Sequence, residues 1–235
     1  MHIPNELINP QTAAGLGFVA ASVLGYALSK VYKMITASAF APAFAAIGNQ
    51  LKTINAQTKK VLSSFGNEYL GKMSMLAALI FAAQMFNFPI ASGTSGHLIG
   101  GTLAALFLGP WGGCLSISLV LIIQALFYGD GGMLALGANI VNMAIIGSVF
   151  SYYMLVVLKK IHLPKFLAIS ITAWLAVVIA AAACSVELAI SGTYALKETL
   201  PAMLKVHSVI GIAEALITIA LVIFIKKVLG WHEAE

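Results

Sequence analysis

The residues best placed to do chemistry in this chain are its first two and one histidine far downstream. A free amine on Met1, the backbone nitrogen of His2 once deprotonated, and the His2 imidazole offer three nitrogens from two residues. They close adjacent five- and six-membered chelate rings. Nickel(II) and copper(II) favour such a planar nitrogen set and assist amide deprotonation, whereas zinc and magnesium generally do not. One equatorial position then stays open. His97 can fill it, since it follows Ser92-Gly93-Thr94-Ser95-Gly96, a glycine- and hydroxyl-rich turn between two apolar runs. Broken backbone at membrane depth is tolerated where it lines a polar cavity. Asn87, Thr94 or Ser95 would supply the hydrogen bond that orients such an imidazole. Read singly, each feature has an ordinary meaning: any chain can begin Met-His, and a lone histidine is more often packed or hydrogen-bonded than ligating.

These groups need elements to carry them. Of the 235 residues, 60% are hydrophobic and only 9% charged, more apolar surface than a soluble domain of this size requires. The apolar runs are continuous and rich in Ala, Leu and Ile, without the alternation of a membrane barrel. The sequence therefore predicts an all-α integral membrane protein, a single membrane domain over 1–235. Seven spans are expected near 11–29, 73–91, 98–109, 112–128, 133–158, 166–191 and 208–225. The net charge of +5 comes from lysines alone. They cluster in short loops between apolar runs, which speaks of membrane orientation and not of nucleic acid. Placing the N-terminus outside leaves only Lys197 and Lys205 on the exterior, with Lys30, Lys33, Lys52, Lys59, Lys60, Lys72, Lys159, Lys160, Lys165, Lys226 and Lys227 in the cytosol. Met1 and His2 then face outward, and the C-terminus is cytosolic. No basic residue precedes the first apolar run, so that run is expected to persist and not to be a cleaved signal. Methionine before histidine is a poor aminopeptidase substrate, so Met1 is expected to stay.

The stretch 34–71 reads as a long cytosolic connection. Leu51, Ile54, Val61, Leu62 and Phe65 approximate one helical face beside Lys52, Lys59 and Lys60, as in a surface helix that meets lipid. An eighth span there is the alternative, though the segment has marginal length and contains Pro42. Ala13, Gly17, Ala21, Gly25 and Ser29 recur every four residues along the first span. Such a ridge of small residues admits another helix closely, from a partner or from this chain. Glu187 and Glu214 lie within apolar runs, where a carboxylate is costly and needs a partner. For Glu214 a role in holding helices together is favoured over ligating metal. Asp130 in Gly129-Asp130-Gly131-Gly132 reads as an exterior turn. His207 opens the last span on the exterior side, while His162 and His232 fall in cytosolic segments. Cys114 and Cys184 lie in apolar runs and read as small hydrophobes.

Several blocks carry a resemblance across nearly the whole chain. They are Met1-His2-Ile3-Pro4, Phe81-Ala82-Ala83-Gln84-Met85-Phe86-Asn87-Phe88-Pro89-Ile90, Gly93-Thr94-Ser95-Gly96-His97, Leu108-Gly109-Pro110-Trp111, Tyr128-Gly129-Asp130-Gly131-Gly132, Gly137-Ala138-Asn139-Ile140-Val141-Asn142-Met143 and the run from His207 to Thr218. In this order the chain resembles the cobalt/nickel substrate-binding M subunits (CbiM/NikM) of energy-coupling-factor (ECF) transporters. The resemblance implies a seven-helix capture subunit in a prokaryotic cell membrane. Its substrate, Ni(II) or Co(II), would be held by the N-terminal amine, the His2 backbone and imidazole nitrogens, and a histidine matching His97. It further implies a coupling transmembrane subunit, ABC ATPase subunits and a small accessory membrane subunit as partners, and no cofactor. No G-x-x-x-x-G-K-[ST] motif occurs, so ATP would be hydrolysed by a partner and this chain is expected not to be an enzyme. It departs from the family's usual Pro-Asp-Gly opening with Pro4-Asn5-Glu6, and its 34–71 connection is longer than usual. The alternatives from other classes are a self-sufficient channel or secondary transporter and a membrane metalloenzyme. The first would show repeated halves or a charged path, and the second an H-E-x-x-H or similar pairing; neither pattern is evident.

Overall fold

A computed structural model describes the backbone of residues 2–45, 51–85, 88–89, 95–96 and 98–234, and the side chains of 2–36, 66–85 and 98–234. Six helical runs dominate: α1 (Pro10–Ala45), α2 (Leu51–Gln84), α3 (Gly101–Tyr128), α4 (Leu136–Lys160), α5 (Lys165–Ile190) and α6 (Leu196–Leu229). A single 3₁₀ turn, Asn5–Leu7, precedes α1. Between α2 and α3 lies a two-residue antiparallel ladder, β1 (Phe88–Pro89) with β2 (Ser95–Gly96). Among the described residues, five helices are long and apolar enough to cross a membrane: α1 over Pro10–Thr36, α3, α4, α5 and α6.

The start of α1 shows how local chemistry sets an element. Asn9 stands at the N-cap and its Oδ1 accepts the Thr12 N–H at 2.8 Å, with Pro10 in the first helical position, where its missing N–H costs nothing. Past the apolar run the helix continues to Ala45, and α2 already begins at Leu51. The expected connection over 34–71 is thus largely helical, because hydropathy marks where a membrane ends and helix propensity does not fade there. The face expected of Leu51, Ile54, Val61, Leu62 and Phe65 lies outside the described side chains. At its other end α2 stops at Gln84, short of the span expected to reach 91, and Phe88, which precedes Pro89, is extended as proline demands. The last span begins at Leu196 and not near 208; Lys197, Glu198 and Lys205 depress its hydropathy without breaking the helix.

The two spans expected at 98–109 and 112–128 form one helical run broken at Gly109. That residue has φ 69° and ψ −179°, a region open essentially to glycine alone. The break is a reversal. A Cβ placed on Gly113 would lie 3.0 Å from the Ala105 nitrogen, whereas eight residues of straight helix would separate them by about 12 Å. The two arms, 101–108 and 110–128, therefore lie against each other, and a side chain at 113 would crowd the Ala104–Ala105 backbone. The corner exposes carbonyls that the helix cannot satisfy. Leu106 would normally bond the nitrogen of residue 110, but Pro110 has no N–H. The Ala234 N–H replaces it at 2.7 Å, and the Tyr69 hydroxyl donates to the Leu108 carbonyl at 2.8 Å. Trp231 packs edge-on to Phe107, which lays the C-terminal tail beneath the corner.

The small-residue ridge of α1 divides. Ala13 is buried and Gly17 meets the Gly137 backbone at the start of α4, while Ala21 and Gly25 are exposed. The buried seam runs instead through Ala13, Ala20 and Ala27. A four-residue step turns a helix by about 400°, so such a ridge drifts off any straight face, whereas a seven-residue step stays within about 20° of it. Opposite α1, α5 and α6 form an antiparallel pair in which the Trp174 Nε1–H donates to the Ser208 carbonyl at 3.0 Å. Glu187 accepts the Asn142 amide at 2.6 Å and joins α5 to α4.

Gly113→Ala is expected to lower stability by about 2 kcal/mol through overpacking of the folded-back arms. Gly15→Ala, where a Cβ meets nothing within 4 Å, is expected to be neutral or slightly stabilising. Thermal unfolding of the two variants in detergent measures the contrast, and equal melting would contradict the hairpin geometry.

Candidate metal centre

The N-terminal segment does not trail into solvent but is drawn into the helical bundle. His2 is only 3% exposed and Ile3 is fully buried. A chain end placed there brings peptide groups that must find partners. Asn139, on α4, supplies them: its Oδ1 accepts the Ile3 N–H at 2.8 Å, and its Nδ2 donates to the Ile3 carbonyl at 3.2 Å and to the Gly131 carbonyl at 2.8 Å. One amide side chain thus clasps both polar groups of Ile3 and ties them to the 129–132 turn. Farther along, the Leu134 N–H donates to Asn5, the Thr193 hydroxyl donates to the Leu7 carbonyl, and Asn9 makes two bonds to Ser191.

His2 Nδ1 lies 2.7 Å from Asp130 Oδ1. Burial pushes the imidazole below its usual pKa, against the opposing pull of the bond to Asp130. For Asp130, burial alone would raise the carboxyl, but the hydrogen bond and charge of His2 bring it below the ordinary range. The pairing is an imidazole Nδ1–H that donates to a carboxylate. Gly131 makes room for it: with φ 86°, it sits where a Cβ would come within 2.9 Å of the His2 ring. Nδ1 is also the nitrogen that a six-membered chelate with the His2 amide requires. Whatever binds there must take the place of the hydrogen that now faces Asp130.

A second buried polar cluster lies where α3 begins. Glu214, 3% exposed in the middle of α6, accepts the Ile99 N–H at 2.9 Å on Oε2 and the Gly100 N–H at 2.7 Å on Oε1. The Gln84 amide donates to the Ile99 carbonyl at 2.8 Å, and Gln124 donates to Gln84 at 3.0 Å. Residues 99 and 100 are thus held by α2, α3 and α6 together.

Of the residues singled out in the sequence, His2 is placed as described. Met1, Asn87, Thr94 and His97 lie outside the described residues, and Ser95 is described only as backbone paired with Pro89. His207 is fully buried with Nδ1 at 2.8 Å from the Met203 carbonyl one turn earlier. His162 lines a cavity of about 490 Å³ with Lys159 and Lys165, and His232 lines another of about 500 Å³ beside Lys30 and Lys72. Among the described residues no three His, Cys, Asp or Glu side chains converge as a metal cage. Sequence reading passed over Asn139, and took Asp130 for a turn. An asparagine within an apolar run does carry a signal, since an intramembrane amide needs a partner; nothing local says that the partner is Ile3.

A bundle of membrane-length helices that buries residues 2 and 3 against a carboxylate and a side-chain amide defines a polytopic membrane protein whose N-terminal segment is part of its packed interior. The chain belongs to the CbiM family: the family described as "Cobalt uptake substrate-specific transmembrane region" matches residues 2–229. It is 35% identical over 227 residues to a putative fused nickel transport protein NikMN of Archaeoglobus fulgidus, covering 96% of this chain and 65% of that protein. It is 34% identical over 242 residues to a probable fused nickel transport protein LarMN of Lactiplantibacillus plantarum, at 97% and 65% coverage. The chain thus spans about two thirds of the length of these relatives. A crystal structure described as a truncated transition metal transporter superposes with a TM-score of 0.76 at 34% identity, covering 97% of this chain and 99% of that one.

Asn139→Ala leaves the buried Ile3 N–H and C=O without side-chain partners, a local loss of about 3 kcal/mol. Hydrogen exchange is expected to rise sharply at Ile3 and its neighbours while α5 keeps its protection. Unchanged exchange at Ile3 would rule out the clasp as the anchor of this segment.

Proposed function

We propose that this chain is the substrate-capturing subunit of an ATP-driven importer, taking up Ni(II) or Co(II) from outside the cell. The observation that carries this reading is the clasp of Asn139 on Ile3, which holds the His2 chelating unit inside the bundle. In this reading the metal is bound by the Met1 amine, the His2 amide and imidazole nitrogens, and His97. In this reading Asn87, Thr94 or Ser95 supplies the hydrogen bond that orients the last of these. The topology is seven membrane segments, counting the two arms of α3 separately, with the N-terminus outside and the C-terminus cytosolic. The lysine distribution supports that orientation.

The chemistry follows from the donors. Nδ1 of His2 gives up its hydrogen bond to Asp130 and takes the metal, the imidazole remaining neutral because its proton moves to Nε2. The His2 amide loses its proton and becomes an anion, so a divalent ion in the site retains about one positive charge. Asp130 next to it offsets that charge where water is scarce, as a buried ion requires. Four nitrogens in a plane suit nickel(II) and serve cobalt(II) as well. A coupling transmembrane subunit, ABC ATPases and a small accessory membrane subunit complete the importer in the cell membrane and provide the ATP hydrolysis that this chain has no motif for. The exposed half of the α1 ridge, Ala21 and Gly25, is the surface for one of these.

Adding a single residue before Met1 displaces the amine and moves the imidazole out of chelating position. Calorimetry with nickel chloride on purified native and extended chains is expected to show binding only to the native one, and equal affinities would refute the site. Protons compete for the donors. Below the ordinary amine pKa of about 8, the amine and the amide each release a proton on binding. Apparent affinity is therefore expected to fall about 100-fold per pH unit. His2 steepens this only at lower pH, because burial depresses its own titration. An affinity that stays level between neutral and mildly acidic pH contradicts this donor set.

A further inference from the structure

Lys159 and Lys160 end α4, and Lys165 begins α5 after the 161–164 turn. Lysines at the ends of spans have an ordinary explanation in membrane orientation and, for α4, in the helix dipole. That explanation requires no cavity, yet one of about 490 Å³ lies between α3, α4, α5 and the C-terminal tail. Its size falls within the roughly 300–1,000 Å³ of small-ligand sites. The walls are apolar, with Leu106 of α3, Tyr152, Leu155 and Val156 of α4, and Ala168 and Ile169 of α5. The exposed part of the lining is basic: Lys159, His162 and Lys165. The acid among the lining residues, Glu233, is already answered twice, by Lys165 at 2.5 Å and by Lys226 at 3.0 Å. Lys159 makes no ion pair among the described residues. The turn adds a further donor. The His162 N–H bonds the Lys159 carbonyl at 3.0 Å and the Leu163 N–H bonds the Leu158 carbonyl at 3.1 Å, the pattern that closes a helix on a left-handed residue, usually glycine. Here that residue is His162, at φ 59°, so an imidazole lines the cavity from a position that glycine fills with less strain.

We propose that this cavity binds one anionic phospholipid, its phosphate held by Lys159, His162 and Lys165 and the start of an acyl chain laid against Tyr152, Leu155 and Val156. Both α4 and α5 have the length and composition of membrane spans, so the turn between them stands at the depth where headgroups meet chains. Basic pockets between spanning helices suit such headgroups. Charge selects among the possible occupants. With Glu233 already paired, an unanswered positive charge remains at Lys159, which attracts a phosphodiester and repels the ammonium of a zwitterionic lipid. The apolar walls select against a free anion, which would leave them wet. Tyr153 and Val157 of α4 and Phe166 and Leu167 of α5 are each about half exposed. They continue the apolar surface past the cavity, so a chain leaving it runs directly into the bilayer. A phosphate that takes Lys165 leaves Glu233 its pairing with Lys226, and the tail keeps its place under the corner.

The test uses the full chain purified in detergent and freed of lipid, with native mass spectrometry to count what rebinds. Phosphatidylglycerol is compared with phosphatidylcholine of the same chains. One phosphatidylglycerol per protein is expected to bind, about 10-fold more tightly than phosphatidylcholine. Lys159→Glu is expected to weaken phosphatidylglycerol about 10-fold and to erase the preference. Lys227→Glu makes the same change of net charge on an exposed residue outside the cavity lining, and is expected to bind as the native chain does. Glycerophosphoglycerol, which is the headgroup without chains, inorganic phosphate and a hexaglutamate peptide are each added at the lipid's concentration, and none is expected to displace it. Equal binding of the two lipids overturns the proposal, as does an equal loss in the two variants, which would report general attraction to a basic surface. Displacement by the headgroup or by phosphate would make this a free-anion site, and displacement by the peptide would make it a protein-docking site; either result overturns the proposal. Should Lys159→Glu fail to fold, the lipid comparison and the three competitors on the native chain decide the matter alone.

Discussion

Irregular backbone inside a bilayer has no water to satisfy it, so every peptide group outside a helix must find a partner within the protein. Among the described residues, buried breaks in regular structure include the N-terminal segment, the start of α3 and the corner at Gly109. In each, side chains or a distant peptide answer the exposed groups. Asn139 serves Ile3, Glu214 and Gln84 serve Ile99 and Gly100, and Tyr69 and Ala234 serve the carbonyls of Leu108 and Leu106. The polar residues scattered through the apolar runs are the price of these breaks.

The same constraint explains why the site combines soft and hard parts. A short chain end on its own would lose much conformational entropy on binding an ion. Anchoring Ile3, Asn5, Leu7 and Asn9 in turn to α4, to the turns before it and to the α5–α6 loop removes that freedom beforehand. The His2 ring rests against Asp130 through Nδ1, the nitrogen a chelate would use. The fold thus separates fixing the backbone, done by neutral amides and one deeply set carboxylate, from electrostatics at the centre, done by Asp130.

Much of the helical architecture was legible in the sequence, because continuous apolar runs and lysine-bearing loops follow directly from bilayer thickness and membrane orientation. Gly109-Pro110 was likewise readable as a division between two segments. The helical continuation of α1 to Ala45 and the early starts of α2 and α6 were not, since polar residues lower hydropathy without lowering helix propensity. The four-residue ridge misled for a geometric reason: it winds around α1, and only Ala13 and Gly17 of it face inward. His2 was singled out by the donor atoms that its position offers, and the structure buries it. Its pairing with Asp130 and the clasp by Asn139 join residues more than a hundred positions apart, and a local pattern cannot encode such a meeting. Glu214 was visible as an isolated charge in need of a partner, but a partner made of peptide N–H groups leaves no mark in residue types.

The corner beneath the bundle has a bearing on how the molecule is made. The carbonyl that Pro110 leaves bare is satisfied by a peptide lying beyond the last helix, so during synthesis the turn is complete in sequence long before its donor exists. Until α6 has been inserted and its tail has swung back, that oxygen must be served by water. Closing the corner is then a late act of assembly, in which drying one turn seals that end of the bundle.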